Sequence, residues 1–557
     1  MKTPALYLGL DVGGTHTDAV LIGEKGIVSR YKTITEHDNL LLSVRKAIEE
    51  ITRNTDRKNI KRINLSTTLC TNAIVENKLE VVCVIISAGP GIDPENYKIG
   101  KHYYAVDGSI DHRGTEISGL DAEHISRIAG EASSKGVKTF AAVTKFSTRN
   151  PDHENLIARA VGKASDFITT GHSLSGQLSF PRRIVTAYFN SAVWRIYNKF
   201  ADAIERGLRD MGFEAEINVL KADGGTIPFA LSRDIPVESI LSGPAASVMG
   251  IAALCDITQD SIMLDIGGTT TDIAIFADGI PLIENDGIRL LEYPTLVHAL
   301  LTRSIGIGGD SAIHVSGTSV SVGPDRKGQA MAAGGRTPTL VDAFNSKKII
   351  SFMDTAASSK GIVTLAKKAG VAPGKLADAA IEYAVGRIKD EVNRMLEEIH
   401  NRPVYTIHEM LEGKRILPKT VYLMGGPAEA FRDRFAGWLG AQVVVPKNYD
   451  VANAVGAALA KTTIDIELFA DTGKGIALIP NIGVRQKIPK SYTLNDAVKD
   501  ARKYLAEHLR KLQVPAGEED TEIIESSSFN MVDGFYASGR DIRVKCQIKP
   551  GVIMRLP

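Results

Sequence analysis

Asp11-Val12-Gly13-Gly14-Thr15-His16-Thr17-Asp18 returns 254 residues later as Asp265-Ile266-Gly267-Gly268-Thr269-Thr270-Thr271-Asp272, with six of eight positions identical. Each copy follows an apolar run (5–10; 262–264) and precedes another (19–22; 273–276). Apolar run, polar turn, apolar run predicts a β-hairpin in both places. Paired glycines permit positive φ and bring bare backbone to the turn surface. Successive N–H groups in such a turn form a concave nest that suits phosphate oxygens. Gly13, Gly14, Thr15, His16 and Thr17 are therefore candidate phosphate-binding residues, as are Gly267, Gly268, Thr269 and Thr270, the threonines adding hydroxyl donors. Asp11 and Asp265 are the candidate catalytic and metal-holding carboxylates, because Mg2+ keeps much of its water and favours carboxylate plus phosphate oxygens. Asp18 and Asp272 read as turn residues that satisfy local N–H groups. One glycine-rich hairpin is ordinarily only a hairpin. Two copies half a chain apart point to a duplicated domain whose halves close on one nucleotide.

A chain of 557 residues accommodates two to four domains, each with its own core. Its formal charge of +1 and lack of a long basic block give no pull toward nucleic acid or a membrane surface. Cys70, Cys83, Cys255 and Cys546 are scattered without a Cys-x-x-Cys pair, so they read as free thiols rather than a zinc or iron–sulfur site. No apolar run reaches the length of a membrane span. Asp11 comes too early to leave room for a signal-peptide core. A cytoplasmic protein is expected.

Outward from the first hairpin, strands are predicted at 5–11, 18–22 and 27–35, a helix at 39–53, and a strand at 63–65. Ser66-Thr67-Thr68 is placed to cap a helix running to residue 75. A buried strand follows at 81–86. The loop-rich stretch 89–114 carries His102, Asp107, Asp111 and His112, whose spacing matches no compact metal pattern. Helix 121–135, strand 139–143 and helix 151–163 are expected to complete the first lobe, before a long helix at about 185–211. A second lobe is expected from near Ile217, with a glycine turn at Asp223-Gly224-Gly225-Thr226 and a small-residue helix through residue 253. Beyond the second hairpin come Ile305-Gly306-Ile307-Gly308-Gly309-Asp310, an amphipathic helix 374–400, strand 420–424 running into Gly425-Gly426-Pro427, and a small-residue helix around Asn453 to Ala458. Residues after about 462 form a separate piece, with a helix and closing strands near 534–537 and 542–548. The predicted class is α/β: two ribonuclease-H-like lobes of the actin-like ATPase type around a nucleotide cleft, over 1–172 and 173–461, with a small α+β domain at 462–557.

Gly13-Gly14-Thr15-His16-Thr17-Asp18, Ser66-Thr67-Thr68 with Thr71-Asn72-Ala73, Leu241-Ser242-Gly243-Pro244-Ala245-Ala246, the second hairpin and Gly334-Gly335-Arg336-Thr337-Pro338-Thr339 together resemble the hydantoinase/oxoprolinase family, in its A-type, ATP-binding subunit. The resemblance spans roughly residues 5–460. It implies ATP and Mg2+ as cofactors, Gly425 and Gly426 flanking the adenosine, and Asn453 on the second crossing helix beside the nucleotide. It further implies that ATP phosphorylates the oxygen of a cyclic amide such as a hydantoin, 5-oxoproline or another lactam. A separate B-type subunit would then complete hydrolysis. A chaperone- or reactivase-type ATPase and a small-molecule kinase share the fold and stand as alternatives. Gly243 before Pro244, where actin-like chaperones carry an acid, weighs against the first. His16 stands where many family members have Phe, and Asp325-Arg326-Lys327 departs from the family's usual small residues and prolines. His298, Arg303, Asp310 and Arg336 are the loop candidates for substrate contact.

Overall fold

Leu6–Val12 (β1) and His16–Gly23 (β2) form the first hairpin, and Gly26–Ile34 (β3) pairs with the far side of β2. The structure is a computed structural model that describes residues 5–36, 40–284, 287–317, 319–401, 415–533 and 536–556. Helix Leu40–Thr52 (α1) buries Val44, Ala47, Ile48 and Ile51, the apolar stripe its spacing predicts. Ile60–Thr67 (β4) returns parallel to β1, and Leu69–Val75 (α2) follows.

The chain then leaves this sheet. Val82–Ser87 (β5), His102–Ala105 (β6), helix Ala122–Ser134 (α3), Thr139–Thr144 (β7), helix Asp152–Val161 (α4), Phe167–Thr170 (β8) and the short helix Gly171–Leu174 (α5) build a separate parallel sheet in the order β8-β7-β5-β6. These elements were expected to complete the first lobe; their strands form a separate parallel sheet. Helix Phe180–Asp210 (α6) starts earlier than residue 185 because Pro181 occupies its first turn, where a missing N–H costs nothing. It leads to Glu216–Leu220 (β9), expected to open the second lobe. β9 lies instead beside β4 in the first sheet, Ile217 opposite Ile63 and Val219 opposite Leu65, with Thr226–Pro228 (β10) at the edge. The first sheet thus runs β10-β9-β4-β1-β2-β3.

Helix Ser242–Leu254 (α7) crosses to the second lobe. There Ser261–Ile266 (β11) and Thr271–Ala277 (β12) form the second hairpin, flanked by Ile280–Pro281 (β13) and Thr302–Ile305 (β14). After the long helix Pro373–His400 (α8), Thr420–Met424 (β15) and Gln442–Val444 (β16) add parallel strands beside β11. The order β13-β12-β11-β15-β16 repeats the 3-2-1-4-5 connectivity of the first sheet. This is the duplicated, two-lobed α/β fold that the repeated hairpin implied. Helix Ala452–Leu459 (α9) packs on α7 and also on β1: a Cβ on Gly9 would lie 2.1 Å from the Ala454 carbonyl oxygen.

The last piece is an antiparallel sheet of Asp465–Asp471 (β17), Ile476–Ile479 (β18), Val484–Lys487 (β19), Thr521–Asp533 (β20) and Tyr536–Ile548 (β21), ordered β19-β18-β17-β21-β20. Its last two strands are far longer than the closing strands expected, and residue 534, where one was placed, lies outside the described residues. Helix Leu494–Lys511 (α10) covers one face through Ile466, Leu468, Ala470, Ile542, Val544 and Cys546. Among the described residues, all four cysteines are free thiols, and no helix is long and apolar enough to cross a membrane.

Candidate nucleotide site

The two hairpin turns share one bonding pattern. Gly13 N–H donates to the His16 carbonyl at 3.0 Å, and Gly267 N–H to the Thr270 carbonyl at 2.9 Å. The first glycine of each pair therefore closes the turn and has no N–H left for a ligand. The amides of Gly14, Thr15, Gly268 and Thr269 meet no acceptor among the described residues, so the nest consists of these four. Thr17 points inward: its hydroxyl lies 3.0 Å from that of Thr35, and Thr17 is fully buried. Its counterpart Thr271 donates to the Ile307 carbonyl at 2.7 Å. Both are struts of the hairpins rather than surface donors. Thr15, His16, Thr269 and Thr270 remain partly exposed on the turns.

Cross-strand pairing brings Asp11 beside Asp18 and Asp265 beside Asp272. The crossing helices bring the two pairs together. Asn453 of α9 donates to Asp11 Oδ2 at 3.3 Å, and the Asp265 charge acts on Asp11. Ser247 of α7 donates to Asp265 Oδ2 at 2.6 Å. Asp18 does not satisfy turn N–H groups as expected; it accepts from Lys32 Nζ at 2.9 Å. Burial pushes Asp11 up to about 7, with the charges of Asp18 and Asp265 adding to it. Burial likewise pushes Asp272 up to about 7, followed by the charge of Asp265. Asp265 and Asp18 are raised too, chiefly by burial, against the hydrogen bond from Ser247 and the charge of Lys32 respectively. Like charges that crowd a poorly hydrated site suppress one another's ionisation unless a cation relieves them.

The donor set fits Mg2+. Asp11 Oδ1 and Asp18 Oδ1 are buried without a partner among the described residues. No three His, Cys, Asp or Glu side chains converge there closely enough to hold a metal unaided. Mg2+ needs only one or two carboxylates when water and phosphate complete its shell.

The first turn is buttressed at Thr15, whose carbonyl accepts from Thr35 N–H at 2.9 Å, and the second at its two glycines. Gly309 N–H donates to the Gly267 carbonyl at 2.9 Å, and Asp310 N–H to that of Gly268 at 2.6 Å. The Asp310 carboxylate accepts from Arg326 at 3.2 Å and from Ala330 N–H at 3.3 Å. Gly425 backs the same hairpin at φ +87°: a Cβ there would lie 2.3 Å from the Ile266 carbonyl oxygen and 2.6 Å from Asp265 Oδ1. Gly426 is exposed, with open space around it. Burial, with Lys32 and Arg326 nearby, lowers His16, so it is neutral at pH 7. The other loop candidates lie elsewhere: Arg303 is paired with Glu391 and Glu398 of α8, His298 with Lys545, and Arg336 is exposed. Ser247, Lys32 and Arg326 are cleft residues that the sequence reading did not assign. Ser247 was legible only as part of a small-residue helix, and Lys32 only as a polar position of an alternating strand.

The model of the hydantoinase/oxoprolinase N-terminal region matches residues 7–164, and the hydantoinase/oxoprolinase model matches residues 183–466. Caprolactamase subunit alpha of Pseudomonas jessenii is 27% identical, over 62% of this chain and 54% of that protein. The 5-oxoprolinase of Saccharomyces cerevisiae is 25% identical, over 62% of this chain and 32% of that protein. The chain thus spans about half the length of the first relative and about a third of the second. Among solved structures, the ATP-dependent caprolactamase from Pseudomonas jessenii aligns with a TM-score of 0.72 at 18% identity, over 99% of this chain and 88% of that one. Nucleotide-free acetone carboxylase aligns at 0.71 and 16%, over 98% and 88%. At such identities the likeness is one of fold, and it extends through the C-terminal sheet. The chain belongs to the hydantoinase/oxoprolinase family.

Proposed function

We propose that the chain is the ATP-using component of a cyclic-amide hydrolase. It phosphorylates the amide oxygen of a hydantoin, 5-oxoproline or other lactam, and a B-type partner subunit completes the hydrolysis. The observation that carries this reading is the meeting of Asp11, held by Asn453, with Asp265, held by Ser247, between two turns that offer four unengaged N–H groups. The names of the relatives support it: one is an alpha subunit of a caprolactamase, others are 5-oxoprolinases, and the caprolactamase is ATP-dependent.

Amide resonance protects a lactam carbonyl from water. Attack of the amide oxygen on the γ-phosphorus forms a new P–O bond, breaks the bond to the β,γ-bridging oxygen and releases ADP. Water adds to the O-phosphorylated carbon, the ring C–N bond breaks with the nitrogen leaving as a protonated amine, and a second water displaces phosphate from the resulting acyl phosphate. The protein's share of such a transfer is positioning and charge stabilisation. Asp11 and Asp265 would hold Mg2+, which neutralises phosphate charge when bound. Gly14, Thr15, Gly268 and Thr269 donate N–H groups to phosphate oxygens, and Gly425 and Gly426 flank the adenosine. Asn453 holds the Asp11 carboxylate and Ser247 that of Asp265. The cytoplasm, with its ATP, is the compartment this chemistry requires.

The test is ADP release by the purified chain with Mg-ATP and a panel of hydantoins, 5-oxoproline and larger lactams, with and without a co-purifying subunit. Stimulation by one cyclic amide, absent from Asp265→Ala, supports the reading. Turnover that responds only to a protein client, or accumulation of a stable phosphorylated small molecule, replaces it with the reactivase or the kinase.

A further inference from the structure

The face of the C-terminal sheet turned away from α10 is charged. Along β17 it carries Glu467 and Phe469, along β21 Arg543 and Lys545, and along β20 Glu525, in register with one another. The loop 176–179, which joins α5 to α6, lies over this face and closes a cleft of about 230 Å³. That is smaller than the roughly 300–1,000 Å³ of pockets that hold drug-sized ligands. A small polar molecule suits it.

Its charges are distributed unusually. Lys545 is engaged, with Nζ 3.0 Å from His298 Nε2 and 3.7 Å from Asp465. Glu467 and Glu525 have no hydrogen bond or ion pair among the described residues, and neither does the Arg543 guanidinium beyond a long 3.8 Å approach to Asp541. Arg543 Nε is buried without a partner there. Glu467 and Arg543 are diagonal neighbours on one sheet face and line the same cleft, yet they do not pair. Diagonal positions on adjacent strands stand about 7–8 Å apart, within reach of side chains as long as Glu and Arg, so reach alone does not explain the missing pair. The loop backbone packs directly on the Glu467 side chain: a Cβ on Gly176 would lie 2.6 Å from Glu467 Cβ and 2.8 Å from Oε2. Arg543 is held in place by stacking over Phe469, at 5.7 Å from the ring centre.

Glu525 is exposed at the rim while Glu467 and Arg543 are half-buried, and charge-assisted hydrogen bonds are the strong ones, so a ligand that carries both signs suits a cleft offering a carboxylate and a guanidinium. We infer that this cleft binds an amino-acid zwitterion, its carboxylate on Arg543 and its ammonium on Glu467 and Glu525. Ring opening of a lactam yields an amino acid of this class; that link rests on the function proposed above, whereas the binding site does not.

The experiment is calorimetric titration of the full chain, without nucleotide, with 6-aminohexanoate, 5-aminopentanoate and glutamate. Hexanoate and hexylamine serve as single-charge controls. At least one zwitterion is expected to bind saturably, and at least about tenfold more tightly than either control. Glu467→Gln and Arg543→Gln, each confirmed as folded by its thermal transition, should each weaken binding about tenfold or more. Asp265→Ala should bind as wild type does, so failure of the ATP-dependent reading would leave this result standing. Absence of saturable binding up to roughly 10 mM overturns the inference. So does equal binding of a single-charge control, or binding that survives both substitutions.

Discussion

Gly250 and Gly456 meet where α7 crosses α9: a Cβ on Gly456 would lie 2.4 Å from the Gly250 amide nitrogen and 2.0 Å from the Ala246 carbonyl oxygen. The same two helices carry Ser247 and Asn453 to the acidic cleft. Close backbone approach is therefore what sets the distance between the lobes. Gly456→Ala should force the helices apart at an overpacking cost of about 1–3 kcal/mol, lowering the melting temperature by several degrees. Because Asn453 moves with α9, ATP affinity should fall in the same variant. A melting temperature equal to wild type would show that the crossing is not tightly packed.

Gly425 provides a second local test. Its positive φ and its contact with Asp265 leave no room for a side chain. Gly425→Ala should displace the Asp265 carboxylate and weaken Mg-ATP binding by about tenfold or more. Gly386→Ala on α8, where nothing lies within 4 Å, is the control and should be neutral or slightly stabilising, as alanine is the better helix former. Equal nucleotide affinity in both variants would dissociate Gly425 from the site.

Removal of the carboxylate itself should be more severe. Asp265→Asn is expected to lower ADP release at least about a hundredfold if Asp265 organises the phosphate charge. Ser247→Ala removes one hydrogen bond to that carboxylate, and the loss should be nearer tenfold. Steady-state ADP release for the pair checks the ranking. Ser247→Ala as damaging as Asp265→Asn would mean that the serine, not the carboxylate, touches the reacting phosphate.

How much of this was legible in the sequence depends on whether the partner was local. Both hairpins could be read because strand, Gly-Gly turn and strand lie within about twenty residues and state their own pairing. The β9–β4 pairing could not, since Ile217 meets Ile63 across an inserted domain and alternation does not name a partner strand. The same limit hid Ser247 and Lys32, whose roles exist only once the crossing helix and β3 are placed. Glycine pairs marked where backbone is bare, yet one amide of each pair closes the turn, and composition cannot distinguish a bonded N–H from an unengaged one. Thr17 looked like a donor from its position, but the strand pleat turns it inward to Thr35.

The inserted unit has an ionic lock of its own. Glu154 is fully buried; it accepts from Thr144 N–H at 2.7 Å and His172 N–H at 2.8 Å, with Arg183 Nη1 3.5 Å away. Against its burial, His172 and Arg183 hold the Glu154 carboxyl below the usual range, while burial pushes Arg183 down to about 10. Breaking one side of such a pair strands the other charge. Glu154→Ala should cost about 3–5 kcal/mol, measured by denaturant unfolding. A loss under about 1 kcal/mol would mean that water already reaches Arg183.

His298 makes acid stability a test of the junction between the first sheet and the C-terminal sheet. Lys545 donates to its Nε2, so the imidazole is neutral with its proton on Nδ1. Burial lowers His298 to about 4, helped by the positive charge of Lys545 and opposed by Asp465 and Asp223. In the unfolded chain an imidazole titrates near 6.5. Between those values the unfolded chain binds the extra proton, so stability increases with pH there. The contribution is fully present above about 6.5 and is lost as pH falls toward about 4, on the order of 3 kcal/mol at most. His298→Asn carries no titrating group and should show a shallower loss of unfolding free energy between pH 6.5 and 4.5 than wild type. Identical slopes in urea titrations across that window would mean that His298 charges in the folded state, and that Lys545 turns to Asp465 when it does.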